Sequence, residues 1–376
     1  MSVATAKLNA REERRLRRGH CWCFRNEFAR LSSLEDGQVV DVLSNRGAFI
    51  GRGFYQAEGG IAVRLLAHHQ VPIDARFLRA SVDRALRFRE RCFPETTVYR
   101  WVFGESDGLP GFVADRYGAV VAAQTSCAFY SAHADALAQA FLDHEGVRAV
   151  RTTVRGDTRW YGDGPAPVVC DVDGVQVGVD LDSAQKTGLF LDQRINCREM
   201  RRFAPGTRVL DGHCYVGVWS CHAARAGAAS VLGVDTSAQA VESARENAGR
   251  NGLDARCTFE TADIADVLQR DARYDLVILD PPALAKSRSQ TPKALKAYQA
   301  LNRDAMRAID SGGILVTSSC SHFVDGRAFL EVLKRAAAAA QCRAWILDVR
   351  GAGPDHPVLL AMPETAYLTC VTLRVL

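Results

Sequence analysis

The chain has 376 residues, 48% hydrophobic and 24% charged, the make-up of a water-soluble globular protein too long for one ordinary core. It holds no apolar run near the roughly 20 residues that span a bilayer, and its polar, basic opening lacks the apolar core of a secretory signal, so a cytoplasmic protein off the membrane is expected. Net charge is +4, but residues 1–100 hold 18 basic and 11 acidic residues and the remaining 276 hold 29 and 32. This asymmetry predicts either an anionic partner for the first third, most simply nucleic acid, or a solvated basic face.

The first 30 residues carry Arg11, Arg14, Arg15, Arg17, Arg18, Arg25 and Arg30, with Trp22 and Phe24 interleaved. Guanidinium groups contact phosphates and aromatic faces stack on unpaired bases, which makes Arg14, Arg15, Arg17, Arg18 and Trp22 candidate RNA contacts. Twelve cysteines are scattered singly except for Cys21-Trp22-Cys23, a spacing too tight for a zinc knuckle. No metal site is expected. A disulfide framework is not expected either, and most thiols are read as reduced, buried small hydrophobes.

Short alternating segments follow at 38–43, 47–55 and 60–66, separated by Asn45-Arg46-Gly47 and Glu58-Gly59-Gly60 turns. They predict a small β-barrel-like domain over 1–72. Residues 74–93 read as a helix, with Phe77, Leu78, Val82, Leu86 and Phe93 toward one face. Strands are predicted at 101–104, 119–124, 148–154 and 168–180, with an Ala-rich helix near 131–143. The stretch from Gly104 to Gly118 is dense in turn formers. Residues 73–178 are thus an expected α+β middle domain.

Over 179–376 strands and helices alternate at the pitch of a doubly wound, Rossmann-like α/β sheet. Strands are predicted at 207–211, 230–235, 257–261, 275–280, 313–318, 345–349 and 366–375. Helices are predicted at 216–226, 237–251, 264–270, 292–310 and 325–340. No clear helix precedes the last strand, which leaves it free to pair antiparallel.

The first strand of this domain ends Asp211-Gly-His-Cys-Tyr215-Val-Gly217 and the second ends at Asp235. A carboxylate at the second strand tip suits a ribose diol, because it accepts both hydroxyl protons. Asp263, after the third strand, is placed to meet an adenine edge. The Gly-x-Gly-x-x-Gly pattern that seats a pyrophosphate is absent, which disfavours a dinucleotide. The set resembles the nucleoside site of class I S-adenosylmethionine methyltransferases, and so makes Asp211, Tyr215, Gly217, Asp235 and Asp263 candidate cofactor contacts.

Two apolar runs then end in polar turns: Tyr274 to Asp280-Pro-Pro282, and Gly312 to Ser319-Cys320-Ser321. Open α/β sheets bind ligands just outside the carboxyl ends of their strands. Asp280 and Cys320 are therefore expected side by side, and a carboxyl group beside a thiol suits covalent chemistry on an electrophilic ring. The alternative is a helix-capping Asp and a buried structural Cys.

Gly104-Glu-Ser-Asp-Gly-Leu-Pro-Gly111, Lys186-Thr-Gly, Leu191-Asp-Gln-Arg194, Asp280-Pro-Pro282, Ser319-Cys-Ser321, Asp355-His-Pro357 and Met362-Pro-Glu364 together resemble the motifs of bacterial 23S rRNA (cytosine-5) methyltransferases with an N-terminal PUA domain. The resemblance runs over nearly the whole chain in order. It implies a PUA-like domain, a middle domain and a methyltransferase domain, with S-adenosyl-L-methionine as cofactor. It implies that Gln193, Arg194 and Asp280 lie along that cofactor, that Cys320 is the nucleophile, and that Asp280 assists it. It also implies ribosomal RNA as partner; whether a second copy of the chain is a further one, as a homodimer, is left open by the sequence. Two features depart from the family pattern: Val218 follows Gly217 where paired glycines are usual, and Gly19-His-Cys-Trp-Cys-Phe24 lacks the proline more often found before the tryptophan; Asp280-Pro-Pro-Ala283 also lacks the second cysteine that some relatives carry there.

A thiolate adding to carbon 6 of cytosine would make carbon 5 nucleophilic. Asp280, protonated or hydrogen-bonded to the ring edge, would stabilise the charge that develops there. The base that removes the carbon-5 proton is not legible, with His322 a candidate. Two rivals remain at this level: methylation of a purine nitrogen, and an RNA-binding protein that keeps a degenerate methyltransferase fold.

Overall fold

Alternating apolar residues in the N-terminal third build a five-stranded sheet from β1 (Ala4–Lys7), β2 (Trp22–Phe24), β3 (Val39–Leu43), β4 (Phe49–Tyr55) and β5 (Ile61–Ala67), ordered β1-β3-β4-β5-β2. The structure is a computed structural model that describes residues 3–31, 34–165, 168–182, 187–285 and 287–376. Lys186 of the Lys-Thr-Gly motif lies outside the described residues. By internal contacts the chain divides into two units. One comprises Met1–Val168, Val179–Leu191 and Pro354–Thr365; the other comprises Val169–Gly178, Asp192–Gly353 and Ala366–Leu376.

In the first unit, Val40, Val42, Ala62, Val63 and Leu65 bury one face of the sheet together with Cys21, Cys23 and Met362. Strands β4 and β5 approach so closely at Gly53 that a Cβ there would stand 2.0 Å from the Arg64 carbonyl oxygen, which leaves glycine as the residue that fits. The arginine-rich opening is more ordered than its composition suggests. It contains β1, the one-turn helix α1 (Glu13–Leu16) and β2, because Ala6, Leu8, Leu16 and Cys23 are buried between the charges.

A second sheet follows, ordered β10-β9-β8-β7-β6. Its strands are β6 (Val98–Phe103), β7 (Phe112–Tyr117), β8 (Val120–Thr125), β9 (Ala149–Val154) and β10 (Asp157–Gly162), covered by α2 (Ala75–Cys92) and α3 (Ala134–Leu142). Asp74 caps α2 by accepting from the Phe77 N–H. Trp101 is fully buried, edge-on to Phe141 at 5.0 Å, with Nε1 donating to the Val82 carbonyl at 3.1 Å. Strand β7 falls within the stretch whose composition predicts turns. Its polar pair Asp115-Arg116 looks like loop, yet Asp115 sits opposite Arg100 across the ladder and takes a two-pronged hydrogen bond from it at 2.5 and 3.0 Å. Charge-assisted forks of this kind let a strand bury a carboxylate.

In the second unit, the hairpin of β11 (Val168–Val172) and β12 (Val175–Val179) leads to α4 (Arg194–Met200) and then to a seven-stranded sheet. Its elements are β13 (Arg208–Gly212), α5 (Val218–Arg225), β14 (Ser230–Asp235), α6 (Ala238–Arg250), β15 (Cys257–Thr261), α7 (Ile264–Val267), β16 (Tyr274–Leu279), α8 (Thr291–Ala308), β17 (Ile309–Ser319), α9 (Gly326–Ala340), β18 (Ala344–Arg350) and β19 (Thr369–Val375). The order β15-β14-β13-β16-β17-β19-β18 is parallel as far as β17, and β19 pairs antiparallel on both sides. This is the Rossmann-like fold class expected. One core joins Val277, Leu279, Leu315 and Val371 to Tyr298, Phe329 and Leu333 of α8 and α9. Truncating Phe329 to Ala would cost about 3–5 kcal/mol. The order reverses between β13 and β16, and the crevice outside their carboxyl ends is where such sheets take ligands. Among the described residues, no helix is long and apolar enough to cross a membrane.

Candidate active site

Strand β13 ends in a turn that ordinary side chains resist. His213, Tyr215 and Gly217 have φ of 63°, 49° and 78°, so left-handed backbone occurs three times in five residues. Such conformations cost on the order of 1–3 kcal/mol each for a non-glycine residue and cluster at ligand sites. Here they are braced: the Cys214 N–H donates to the Val234 carbonyl at 2.9 Å, and Gly217 donates to Cys214 at 2.8 Å. At Gly217 a Cβ would also press to 2.9 Å from Ala244 Cβ. Asp235, at the tip of β14, completes the brace by accepting from the Tyr215 N–H at 3.0 Å and from Ser237 at 2.9 Å. It stays partly exposed. Asp263 is exposed at the end of β15 and caps α7 through the Ala265 N–H at 2.9 Å.

Two of the expected contacts, Asp211 and Arg194, are buried. Asp211 is fully buried and accepts from the Ser220 hydroxyl at 2.6 Å. Burial, with the nearby charges of Asp280 and Asp235, pushes its carboxyl up to about 7 against the Ser220 bond. It supports the turn from beneath and offers no surface to a ligand. Arg194 is 2% exposed, with Nη1 3.4 Å from Asp173 in the β11–β12 turn, so it fastens the hairpin to α4. Its neighbour Gln193 is equally buried, at 3%, but bonds to the Asp280 side chain: Nε2 donates to Asp280 at 2.7 Å and to the Ser318 hydroxyl at 3.0 Å, while Oε1 accepts from Asn196.

Asp280 and Cys320 follow adjacent parallel strands, β16 and β17, whose register pairs Leu279 with Thr317. Asp280 accepts from Gln193 on one oxygen and from Trp219 Nε1 on the other at 3.2 Å. Burial, then the charge of Asp192, raises its carboxyl to about 6, while the Trp219 and Gln193 donors oppose that rise. A group titrating near 6 can hold or release a proton close to neutrality. The Cys320 Sγ lies 3.7 Å from the Pro281 carbonyl oxygen. Nine of the twelve cysteines are buried, and Cys92, Cys320 and Cys342 are partly exposed. Of these three, Cys320 alone stands at the carboxyl edge of the catalytic sheet. Burial instead raises the thiols of Cys214 and Cys221 far above their ordinary range, Cys221 to about 12. His322 is exposed, its ring 5.5 Å from that of Tyr367, whose hydroxyl donates to Asp192.

Sequence reasoning missed Trp219 and Tyr298. Tyr298 is fully buried on α8, and its hydroxyl lies 3.1 Å from both Ser319 and Ser321, the neighbours of Cys320. Ser321 accepts from the Ala285 N–H at 3.3 Å, which ties this loop to the one carrying Asp280. Both aromatics occupy apolar helix positions and read as plain core; only the serines flanking Cys320 signalled a need for polar partners.

In the first unit, Arg14, Arg17 and Arg18 are exposed. Arg15 is partly exposed and already engaged within the chain. Its guanidinium donates to Glu27 at 2.7 Å and to the Trp22 carbonyl at 2.8 Å, and lies over the Phe24 ring. Trp22 is half-buried, with Nε1 donating to Glu105 at 2.7 Å and Arg64 over its ring. Cys21 and Cys23 line the same core, and burial lifts the Cys21 thiol to about 11.

Residues 6–68 match the PUA-like domain family, and residues 137–348 match the S-adenosylmethionine-dependent methyltransferase family. The chain is 35% identical over 392 residues to ribosomal RNA large subunit methyltransferase I of Shewanella denitrificans, covering 98% of each protein. The chain belongs to that family of S-adenosylmethionine-dependent methyltransferases. Two solved structures share the fold of this methyltransferase at 22% identity. A putative SAM-dependent methyltransferase from Streptococcus mutans has a TM-score of 0.87, with 99% of this chain and 100% of that one covered. A putative methyltransferase complexed with SAH has a TM-score of 0.89 at the same coverage.

Proposed function

We propose that this methyltransferase acts in the cytoplasm on large-subunit ribosomal RNA and methylates carbon 5 of a cytosine, with Cys320 as nucleophile. The observation that carries the reading is the partly exposed thiol of Cys320 beside the Asp280-Pro-Pro loop at the sheet's carboxyl edge. The ribosomal substrate is supported by the named function of the Shewanella denitrificans relative and by the PUA-like domain.

The crevice residues fit the cofactor. The turn at 213–217 carries three left-handed residues, a conformation that clusters at ligand sites, and Asp235 presents a partly exposed carboxylate suited to a ribose diol. Gln193, Tyr215 and Asp263 complete the set of candidate contacts, and Gly217 permits the turn. Bound S-adenosylmethionine supplies an electrophilic methyl group.

The remaining chemistry belongs to the chain. The Cys320 thiolate adds to carbon 6 of cytosine, and the electron pair of the 5,6 double bond moves into the ring to make carbon 5 nucleophilic. Asp280 receives that charge: with its carboxyl raised to about 6, a protonated fraction can donate to ring N3. Once carbon 5 is methylated, solvent water takes its proton, N3 returns its proton to Asp280, and the double bond re-forms as the Cys320 thiolate leaves. The test is incubation of unmodified large-subunit rRNA with enzyme and S-adenosylmethionine, followed by mass analysis of nucleosides. The reading expects 5-methylcytidine; a methylated purine would replace it with nitrogen methylation, and no methylation would leave an RNA-binding protein.

A further inference from the structure

The segment Pro354–Thr365 belongs to the first unit, although it is separated from the N-terminal sheet by some 300 residues of sequence. It docks there tightly. Met362 is fully buried in the barrel core, and its sulfur accepts from the Cys21 N–H at 3.3 Å. Leu359 packs against the same core. Ala361 lies against Gly19, where a Cβ would stand 3.3 Å from its own. The turn is closed by the Met362 N–H donating to the Leu359 carbonyl at 2.7 Å, and by the Thr365 hydroxyl, which accepts from the Leu359 N–H at 2.9 Å and donates to the Met362 carbonyl at 2.7 Å.

This bracing pulls Leu359 and Met362 inward and holds Leu360 outward. Leu360 is 98% exposed and Val358 is 55% exposed. A large apolar side chain fixed at the tip of a pinned turn gains nothing for folding, since it buries no surface there. Its chain neighbour Ala361 lies against Gly19, the residue that follows the exposed Arg17 and Arg18. Glu364 is turned toward His20, 3.6 Å from its Nε2.

We infer that Leu360 is an apolar wedge of an RNA-binding surface, inserted against or between bases while Arg17 and Arg18 hold the adjacent phosphates. Cations that neutralise phosphates beside a rigid apolar side chain that replaces base stacking are the chemistry of unstacking wedges. Single-stranded or looped RNA, whose bases can be splayed, is the partner this combination fits. The inference rests on the ribosomal RNA reading and adds to it a contact from the far end of the sequence.

The test titrates the full-length protein with in-vitro-transcribed large-subunit rRNA over a series of salt concentrations. Because Leu360 is exposed, Leu360→Ala should leave folding and cofactor binding unchanged. It should weaken RNA binding about tenfold, the scale of one lost base contact, with the salt slope unchanged. Leu360→Met should bind as wild type. The double variant Arg17→Gln/Arg18→Gln should instead flatten the slope, by roughly 0.7 per lost phosphate contact. Equal affinity of Leu360→Ala and wild type overturns the wedge. So does normal RNA binding with a loss of self-association, which would make the tip a protein contact. Failure of the wild-type protein to bind the rRNA overturns the substrate reading itself.

Discussion

The Tyr298 hydroxyl stands 3.1 Å from that of Ser321, and Ser321 in turn accepts from the Ala285 N–H at 3.3 Å. Ser321 ties the Cys320 loop to the Asp280 loop, and one buried phenol holds Ser321 and Ser319 in place. Tyr298→Phe keeps the ring, which packs edge-on to Phe329 at 5.4 Å, and removes that hold. It should lower kcat about tenfold through misplacement of the reacting groups, with the KM for S-adenosylmethionine unchanged. Steady-state kinetics check this split; an unaltered kcat would reduce Tyr298 to core packing.

Asp235 ends β14 and braces the Tyr215 N–H at 3.0 Å, so it both shapes the turn and faces the crevice. Asp235→Ala should weaken cofactor binding by about 1.5–3 kcal/mol, the scale of charge-assisted hydrogen bonds. Calorimetry reads this directly. Unchanged affinity would remove Asp235 from the cofactor site.

Asp211 gives the fold a pH dependence. Its carboxyl is raised to about 7 by burial, so the folded chain binds this proton more tightly than the unfolded chain does. Stability from this group is therefore full below about pH 4 and is lost as pH rises toward 7. The fall amounts to as much as about 4 kcal/mol, because each pH unit between the unfolded and folded values is worth about 1.36 kcal/mol. Asp280, raised to about 6, adds a loss of the same sign. Urea unfolding of Asp211→Asn between pH 4 and 8 should show a shallower decline than wild type. Parallel curves would mean that Asp211 is not protonated in the folded chain.

The pairing of Asp280 with Cys320 was legible because both follow apolar β runs one crossover apart, and parallel sheets bring such ends together. The doubly wound order was legible for the same reason. Strand β7 was not, because its Asp115 and Arg116 are polar and their partners, Arg100 among them, are visible only once the ladder forms. The pairing of Arg15 with Glu27 was not legible, because composition cannot tell a free guanidinium from a partnered one. The strand-tip position of Asp211 was legible; its burial was not, because that depends on the turn folding over it. The outward turn of Leu360 was hidden in sequence, since the core it adjoins is formed by residues some 300 positions earlier.

The central claim is that Cys320 forms a covalent bond to the target cytosine. Substrate rRNA carrying 5-fluorocytosine traps such a bond, because fluorine cannot leave carbon 5 as a proton does. Wild-type enzyme with S-adenosylmethionine should give a protein–RNA adduct that survives a denaturing gel. Cys214→Ala and Cys221→Ala, which remove buried thiols, should trap as well, and Cys320→Ala should give none while still binding cofactor and RNA. An adduct with Cys320→Ala, or substantial methylation by it, would contradict the account.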